Sequence, residues 1–269
     1  MDSENIKPIF IIGAGYSGTS ILYKMLASHP DLAWFSQYSL RGRDIPGRFR
    51  FPFYQYFNRF LRSVFSHQWA KEEGFLKIIP RPGEAHRIWE YVFPKEVALP
   101  KEEHIKRLRF VLEAECKDWN KNSILAKSIR FHNYLTILKE AYPEAKFIHI
   151  VRDGRAITLS RRYKGNQKEN LDKYIERARH WAEAVERINT EIGKIDMLEL
   201  RYEDFCQDIH GYLRKILNFI GLDVGKFPFA KFPKTLESTN QRWFKMATRE
   251  EIALFGSIQK EILEKYGYL

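Results

Sequence analysis

Short apolar runs alternate along this chain with stretches of helical periodicity. Pro8–Ile12, Leu32–Phe35, Ser123–Lys127, Lys146–Val151 and Met197–Leu200 are mostly apolar and bounded by turn or charged residues, which predicts buried strands. Between them, apolar residues recur at helical spacing. Ile21, Leu22, Met25 and Leu26 mark a helix over 20–28, stopped by His29-Pro30, and Ile105, Leu108 and Leu112, with Ala114 or Glu115 at the side, mark one over 101–119. Further helices are predicted over 131–142 and over 170–193, the latter with Tyr174, Ala178, Trp181, Ala182, Val185, Ile188 and Ile192 on its apolar face. Two more are predicted over 211–220, closed by Gly221, and over 249–266, and a shorter one follows the loop beginning at Pro80. Strand and helix in turn predict an α/β fold, a central parallel sheet flanked by helices.

The first strand runs into Gly13-Ala-Gly-Tyr-Ser-Gly-Thr-Ser20 and then a helix. Gly13, Gly15 and Gly18 permit φ > 0 and turn successive N–H groups inward. Ser17, Thr19 and Ser20 add hydroxyl donors at a helix N-terminus whose dipole favours an anion. The turn is predicted to hold a phosphate. Gly13 and Gly18 have Walker A spacing, but Thr19 stands where that loop has its lysine, so a triphosphate would lose its main counter-charge.

A second anion site is predicted after the strand 146–151. Arg152 lies at its carboxyl end, where open α/β sheets bind ligands, and Ser160 follows about two helical turns later, so the pair can grip another phosphate. A magnesium-dependent NTPase usually has an aspartate at the strand end. Here Arg152 takes that place, with Asp153 adjacent.

At 269 residues and 44% apolar, the chain is expected to form one domain over 1–269, with a basic and aromatic insertion around 37–100. Within the insertion, Arg41, Arg43, Arg48, Arg50, Arg59 and Arg62 alternate with aromatic residues. That pattern suits an anionic acceptor or a solvated lid. The net charge of +11 calls for an anionic partner. No nucleic-acid recognition module surrounds the arginines. The polar start and the short apolar run after it predict neither signal peptide nor membrane span, so a cytoplasmic location is expected. Cys116 and Cys206 have no disulfide-framework or metal-ligand spacing.

Two anion sites on one parallel sheet, the first without the Walker lysine and the second built on Arg152 and Ser160, resemble the sulfotransferases that use 3′-phosphoadenosine-5′-phosphosulfate (PAPS) and release 3′-phosphoadenosine-5′-phosphate (PAP). The resemblance implies the P-loop NTPase-like sulfotransferase fold and transfer of a sulfuryl group to a hydroxyl or amine without a metal. Its pieces run from Pro8 to Lys245 and lie nearest the glycan and tyrosylprotein types: His29-Pro30-Asp31, Val151-Arg-Asp-Gly-Arg-Ala156, Arg201-Tyr-Glu-Asp-Phe205 and Ser238-Thr-Asn-Gln241 with Lys245. By that resemblance Gly15, Tyr16, Ser17, Gly18, Thr19 and Ser20 hold the phosphosulfate, and Arg152, Ser160, Lys164, Tyr202, Ser238, Thr239, Asn240, Gln241 and Lys245 hold the rest of the nucleotide. The acceptor is expected to be an anionic or hydroxylated small molecule, glycan or peptide.

Two positions depart from the family pattern. Tyr16 stands where a lysine or arginine usually precedes Ser-Gly-Thr, and Ser36 and Gln37 stand where the tyrosylprotein enzymes carry a glutamate base. Lys127, at a strand end, is the candidate replacement cation. Glu84 and His132, then His86 and Asp44, are the candidate bases. A non-catalytic anion-binding module and a P-loop kinase stay open as other readings.

Overall fold

The computed structural model describes residues 6–36, 39–40, 82–159, 170–238, 240 and 247–269. Its sheet has β1 (Lys7–Ile12) at the centre, flanked by β3 (Ser123–Lys127) and β4 (Lys146–Val151), with β2 (Leu32–Trp34) and β5 (Asp196–Arg201) outermost. All four pairings are parallel. Successive β1 residues face opposite sides, and both sides are covered, which is why its sequence reads as a continuous apolar run. On one face Ile9 and Ile11 pack with α1 (Thr19–Leu26), α7 (Tyr202–Gln207) and α8 (Ile209–Phe219) through Leu22, Phe205 and Leu213. On the other, Phe10 and Ile12 meet α2 (His86–Val92), α3 (Lys101–Trp119) and α4 (Leu135–Ala141) through Trp89, Leu108 and Leu138.

The β4 end of that second face is closed by α5 (Gly154–Leu159), α6 (Leu171–Asn189), α9 (Arg249–Ile258) and α10 (Lys260–Lys265). Strand order reverses at β1: the connection from β1 leads to one side of the sheet, and β4 and β5 lie on the other. The carboxyl ends on either side of β1 therefore form the crevice in which such sheets bind ligands.

Four expectations change. The helix over 131–142 divides into a 3-10 turn (Phe131–Asn133) and α4. The helix over 249–266 breaks at Gln259, whose buried amide donates to Thr158 Oγ1 at 3.1 Å and to the Ala178 carbonyl at 3.3 Å. These long-range bonds replace regular packing at that point and separate α9 from α10. Helix α6 ends at Asn189, which leaves Ile192 exposed rather than on the apolar face. Glu115 is fully buried, accepting hydrogen bonds from Ser39 Oγ at 2.7 Å and Trp119 Nε1 at 3.1 Å. Most of the arginine-aromatic insertion, including Asp44, lies outside the described residues.

Candidate active site

The glycine turn is shaped by three left-handed residues, and one of them is not a glycine. Gly13 has φ 153° and Gly18 φ 100°, but the third is Tyr16, at φ 68°, in place of Gly15. A Cβ on Gly13 would lie 2.6 Å from the Ile150 carbonyl oxygen, and one on Gly18 would lie 2.4 Å from the Tyr202 ring. Both glycines are thus required by close approach as well as by φ. Helix α1 starts without a side-chain cap, so its first N–H groups point out of the turn unclaimed by one. Ser17 Oγ is buried and has no hydrogen-bond partner among the described residues. An orphan hydroxyl beside uncapped N–H groups and a positive dipole end fits an anion's oxygens.

Beside this turn, the β3 edge carries a cation and a carboxylate. Register pairs Ile11 of β1 with Lys127, which ends β3 level with the turn. Lys127 is 5% exposed, and its Nζ donates to Ser20 Oγ at 3.2 Å and to Glu84 Oε2 at 2.5 Å. Glu84 reaches the sheet through a local crossing. Ser36 and Pro82 form an antiparallel bridge, the Gly83 N–H donates to the Phe35 carbonyl at 3.0 Å, and Ala85 takes a left-handed conformation before α2.

The other Glu84 oxygen accepts from the Ile129 N–H at 3.0 Å and Ser128 Oγ at 3.3 Å. Burial pushes the Glu84 carboxyl up, but the Lys127 charge and hydrogen bond, with the Ile129 N–H, outweigh it and hold the group below the ordinary carboxylate value. His86 stands at its rim, 3.7 Å from Oε1. Ser36 itself is buried, its N–H bonded to Ser39 Oγ. The carboxylate at this edge thus comes from the segment bridged to Ser36.

At the β4 edge, Arg152 is 7% exposed and held from three sides. Its Nε donates to Asn240 Oδ1 at 2.8 Å, Nη1 donates to the Tyr16 carbonyl at 3.0 Å, and the guanidinium lies 4.6 Å over the Tyr202 ring. Tyr202, packed on Gly18, braces turn and arginine together. Asn240 Nδ2 in turn donates to Glu203 Oε1 at 2.5 Å, and the Tyr268 hydroxyl donates to Glu203 Oε2 at 2.7 Å. Arg155 Nη2 bonds Asp153 Oδ2 at 3.0 Å and the Tyr268 carbonyl at 2.8 Å. Ser238 Oγ accepts from the Asn240 N–H at 3.4 Å. Ser160, Lys164, Thr239, Gln241 and Lys245 lie outside the described residues.

His132 stands apart from the Lys127 pair, in the 3-10 turn after β3, with its ring 6.0 Å from that of His180 on α6. Burial first, then the nearby His180 and Arg187 charges, push its imidazole down to about 4, so it is neutral near pH 7. The sequence shows Glu203 only as part of the 201–205 motif, without a role, and gives no sign of Tyr268. Glu203 had a visible signal, since it follows a strand at the ligand edge of the sheet. Tyr268 had none, because its contact joins α7 to the residues after α10, far apart in sequence.

The sulfotransferase family model matches residues 8–226, from β1 through α8. The chain belongs to the sulfotransferase family. Its relatives include the omega-hydroxy-beta-dihydromenaquinone-9 sulfotransferase Stf3 of Mycobacterium bovis, 23% identical over 97% of this chain and 75% of that protein. Among solved structures, sulfotransferase STF1 of Mycobacterium tuberculosis superposes with a TM-score of 0.62 at 14% identity, covering 94% of this chain and 76% of that one. Mouse sulfotransferase SULT7A1 complexed with PAP gives 0.51 at 15% identity, covering 98% and 85%. The fold is accordingly the P-loop-like sulfotransferase fold, and the protein is a sulfotransferase. No helix among the described residues is long and apolar enough to cross a membrane.

Proposed function

We propose that the β3 edge carries out sulfuryl transfer to an acceptor hydroxyl while the β4 edge holds the 3′-phosphate end of the donor. The observation that carries this reading is the Lys127–Glu84 pair, hydrogen-bonded to Ser20 at the start of α1. In this reading the turn N–H groups, Ser17, Thr19 and Ser20 hold the 5′-phosphosulfate. Lys127 Nζ neutralises charge on the oxygen joining sulfur to the departing phosphate, the task that Tyr16 cannot perform.

Glu84 orients Lys127 and takes the acceptor proton. As the acceptor oxygen bonds to sulfur, the sulfur–oxygen bond to the phosphate breaks and PAP departs. Glu84 is preferred to His132 as base because it touches Lys127. Arg152, with Ser160, Lys164, Tyr202, Ser238, Thr239, Asn240, Gln241 and Lys245, encloses the nucleotide.

The site supplies its own positive charge, and the reading requires no metal. A hydroxylated small molecule is the favoured acceptor class, by analogy with the hydroxylated compound named for the Mycobacterium bovis relative. One domain is proposed for the whole chain. A cytoplasmic setting is proposed on the free, buried Cys116 and Cys206. Calorimetry tests the donor assignment: PAP should bind about tenfold to a hundredfold more tightly than adenosine diphosphate without added metal, as expected for a charge-assisted contact to the 3′-phosphate. Equal affinities would remove Arg152 from that role.

A further inference from the structure

Buried side chains from outside the sheet fix Trp34, Phe35 and Ser36, where the chain leaves β2, and two of the ties lead to one carboxyl. Glu115 lies in the buried face of α3 with Leu108, Val111 and Leu112. Its Oε1 accepts from Ser39 Oγ at 2.7 Å and from Trp119 Nε1 at 3.1 Å. The Ser39 hydrogen is thereby committed to Glu115, and a lone pair on the same oxygen accepts the Ser36 N–H at 2.8 Å. Trp119 shares its N–H with the Trp34 carbonyl, also at 3.1 Å. Glu115 thus holds the chain on both sides of Phe35. Phe35 is pinned in turn by the Tyr23 hydroxyl, which accepts its N–H at 2.8 Å.

Residues 82–84 lie on this segment. Ser36 bridges Pro82, the Phe35 carbonyl receives the Gly83 N–H, and Glu84 follows with its carboxylate on Lys127. We propose that Glu115 is a positioning residue for sulfuryl transfer: through Ser39 and Trp119 it fixes the 34–36 segment, and so sets the distance and direction at which Glu84 meets Lys127. The proposal deepens the sulfuryl-transfer reading and rests on its assignment of Glu84. Burying a carboxyl costs stability unless donors meet it, and an apolar residue would fill the same place on α3. What an apolar residue cannot supply is one acceptor for Ser39 and Trp119 together. Ser36 and Ser39 are both buried, so bulk water does not stand in for a lost link. Misplacing a reacting group by about 1 Å can cost about 10²-fold in rate, which gives a support this far from the chemistry its leverage.

The test reads the Glu84 carboxylate directly. Among the described residues, Lys127 and His86 are the titratable groups that face it. Burial raises its pKa, and Lys127 outweighs burial, so loosening the pair moves the midpoint up. Carbon NMR of protein labelled at the glutamate carboxyls follows this titration, with the Glu84 signal assigned by its loss in Glu84→Gln. The midpoint should rise in Glu115→Leu, which removes the acceptor, and in Ser39→Ala, which cuts the link midway. Glu115→Gln keeps an acceptor oxygen and should restore the wild-type midpoint. In release of PAP from PAPS with 1-octanol as acceptor, Glu115→Leu should lower kcat about tenfold or more and leave the donor KM within about twofold of wild type. A wild-type midpoint in Glu115→Leu, or in Ser39→Ala should Glu115→Leu fail to fold, overturns the proposal; so does wild-type kcat in a variant whose midpoint has moved. Full turnover in Glu84→Gln would instead overturn the assignment of Glu84 as base, and with it the role of Glu115 in transfer, whatever the titration shows.

Discussion

Lys127 and Arg152 stand on opposite sides of β1 at the same edge of the sheet, equally buried, and are held in opposite ways. Lys127 is a point charge on a flexible stem, tied to one carboxylate and one hydroxyl. Arg152 is a planar group stacked on Tyr202 and bonded to Asn240 and the Tyr16 carbonyl. The difference matches two tasks. A cation that answers charge developing during transfer needs donors free to re-aim, whereas one that marks a fixed phosphate gains from a locked geometry. In the proposed reading, one edge serves the reaction and the other recognition.

The largest effect is expected from Lys127→Ala. Turnover should fall about 10²-fold or more, because an ammonium used mainly in the transition state is lost. Release of PAP in the presence of acceptor measures it; normal turnover would discard Lys127 as the transfer cation. Arg152→Ala should act on the other quantity, raising the donor KM about tenfold to a hundredfold with a smaller change in turnover at saturation.

A subtler effect is expected at Tyr268, which reaches Arg152 through Glu203 and Asn240. Tyr268→Phe should raise the donor KM a few-fold, because it loosens Glu203 two hydrogen bonds away from Arg152, and leave kcat alone. A fall in kcat with unchanged KM would show that the relay serves the wrong edge.

The smallest effect concerns acid. The folded-state pKa of Glu84 lies below its ordinary value of 4.5, so the Lys127 pair contributes stability that is fully present above that pH and lost as pH falls through the lower folded value. Thermal midpoints of Glu84→Gln should therefore decline less steeply than wild type below about pH 4.5. Parallel curves would mean that the pair does not sense the titration.

All five strands, the glycine turn and both strand-end cations are legible in the sequence, because a parallel sheet buried on two faces leaves continuous apolar runs whose ends mark the ligand edge. Lys127 and Arg152 could be placed from strand ends alone. What periodicity could not supply were contacts between distant segments. Gln259 interrupts a regular helical pattern because its amide finds Thr158 and Ala178, and Tyr268 joins Glu203 only after α9 and α10 have folded back on α6. Glu84 shows the same limit. As a residue type it was a candidate base, but its pairing with Lys127 depends on the Ser36–Pro82 bridge, which no local pattern announces. Tyr16 shows a different one: a turn with three glycines suggested three flexible positions, yet the third left-handed residue is the tyrosine, whose carbonyl then receives Arg152.

The division of labour between the two edges is tested most directly by titrating PAP into wild type, Lys127→Ala and Arg152→Ala in one calorimetric series, with thermal melts to show that all three are folded. Lys127→Ala should bind PAP within about threefold of wild type, while Arg152→Ala should lose about tenfold to a hundredfold. Equal losses in both variants, or a larger loss in Lys127→Ala, would contradict it.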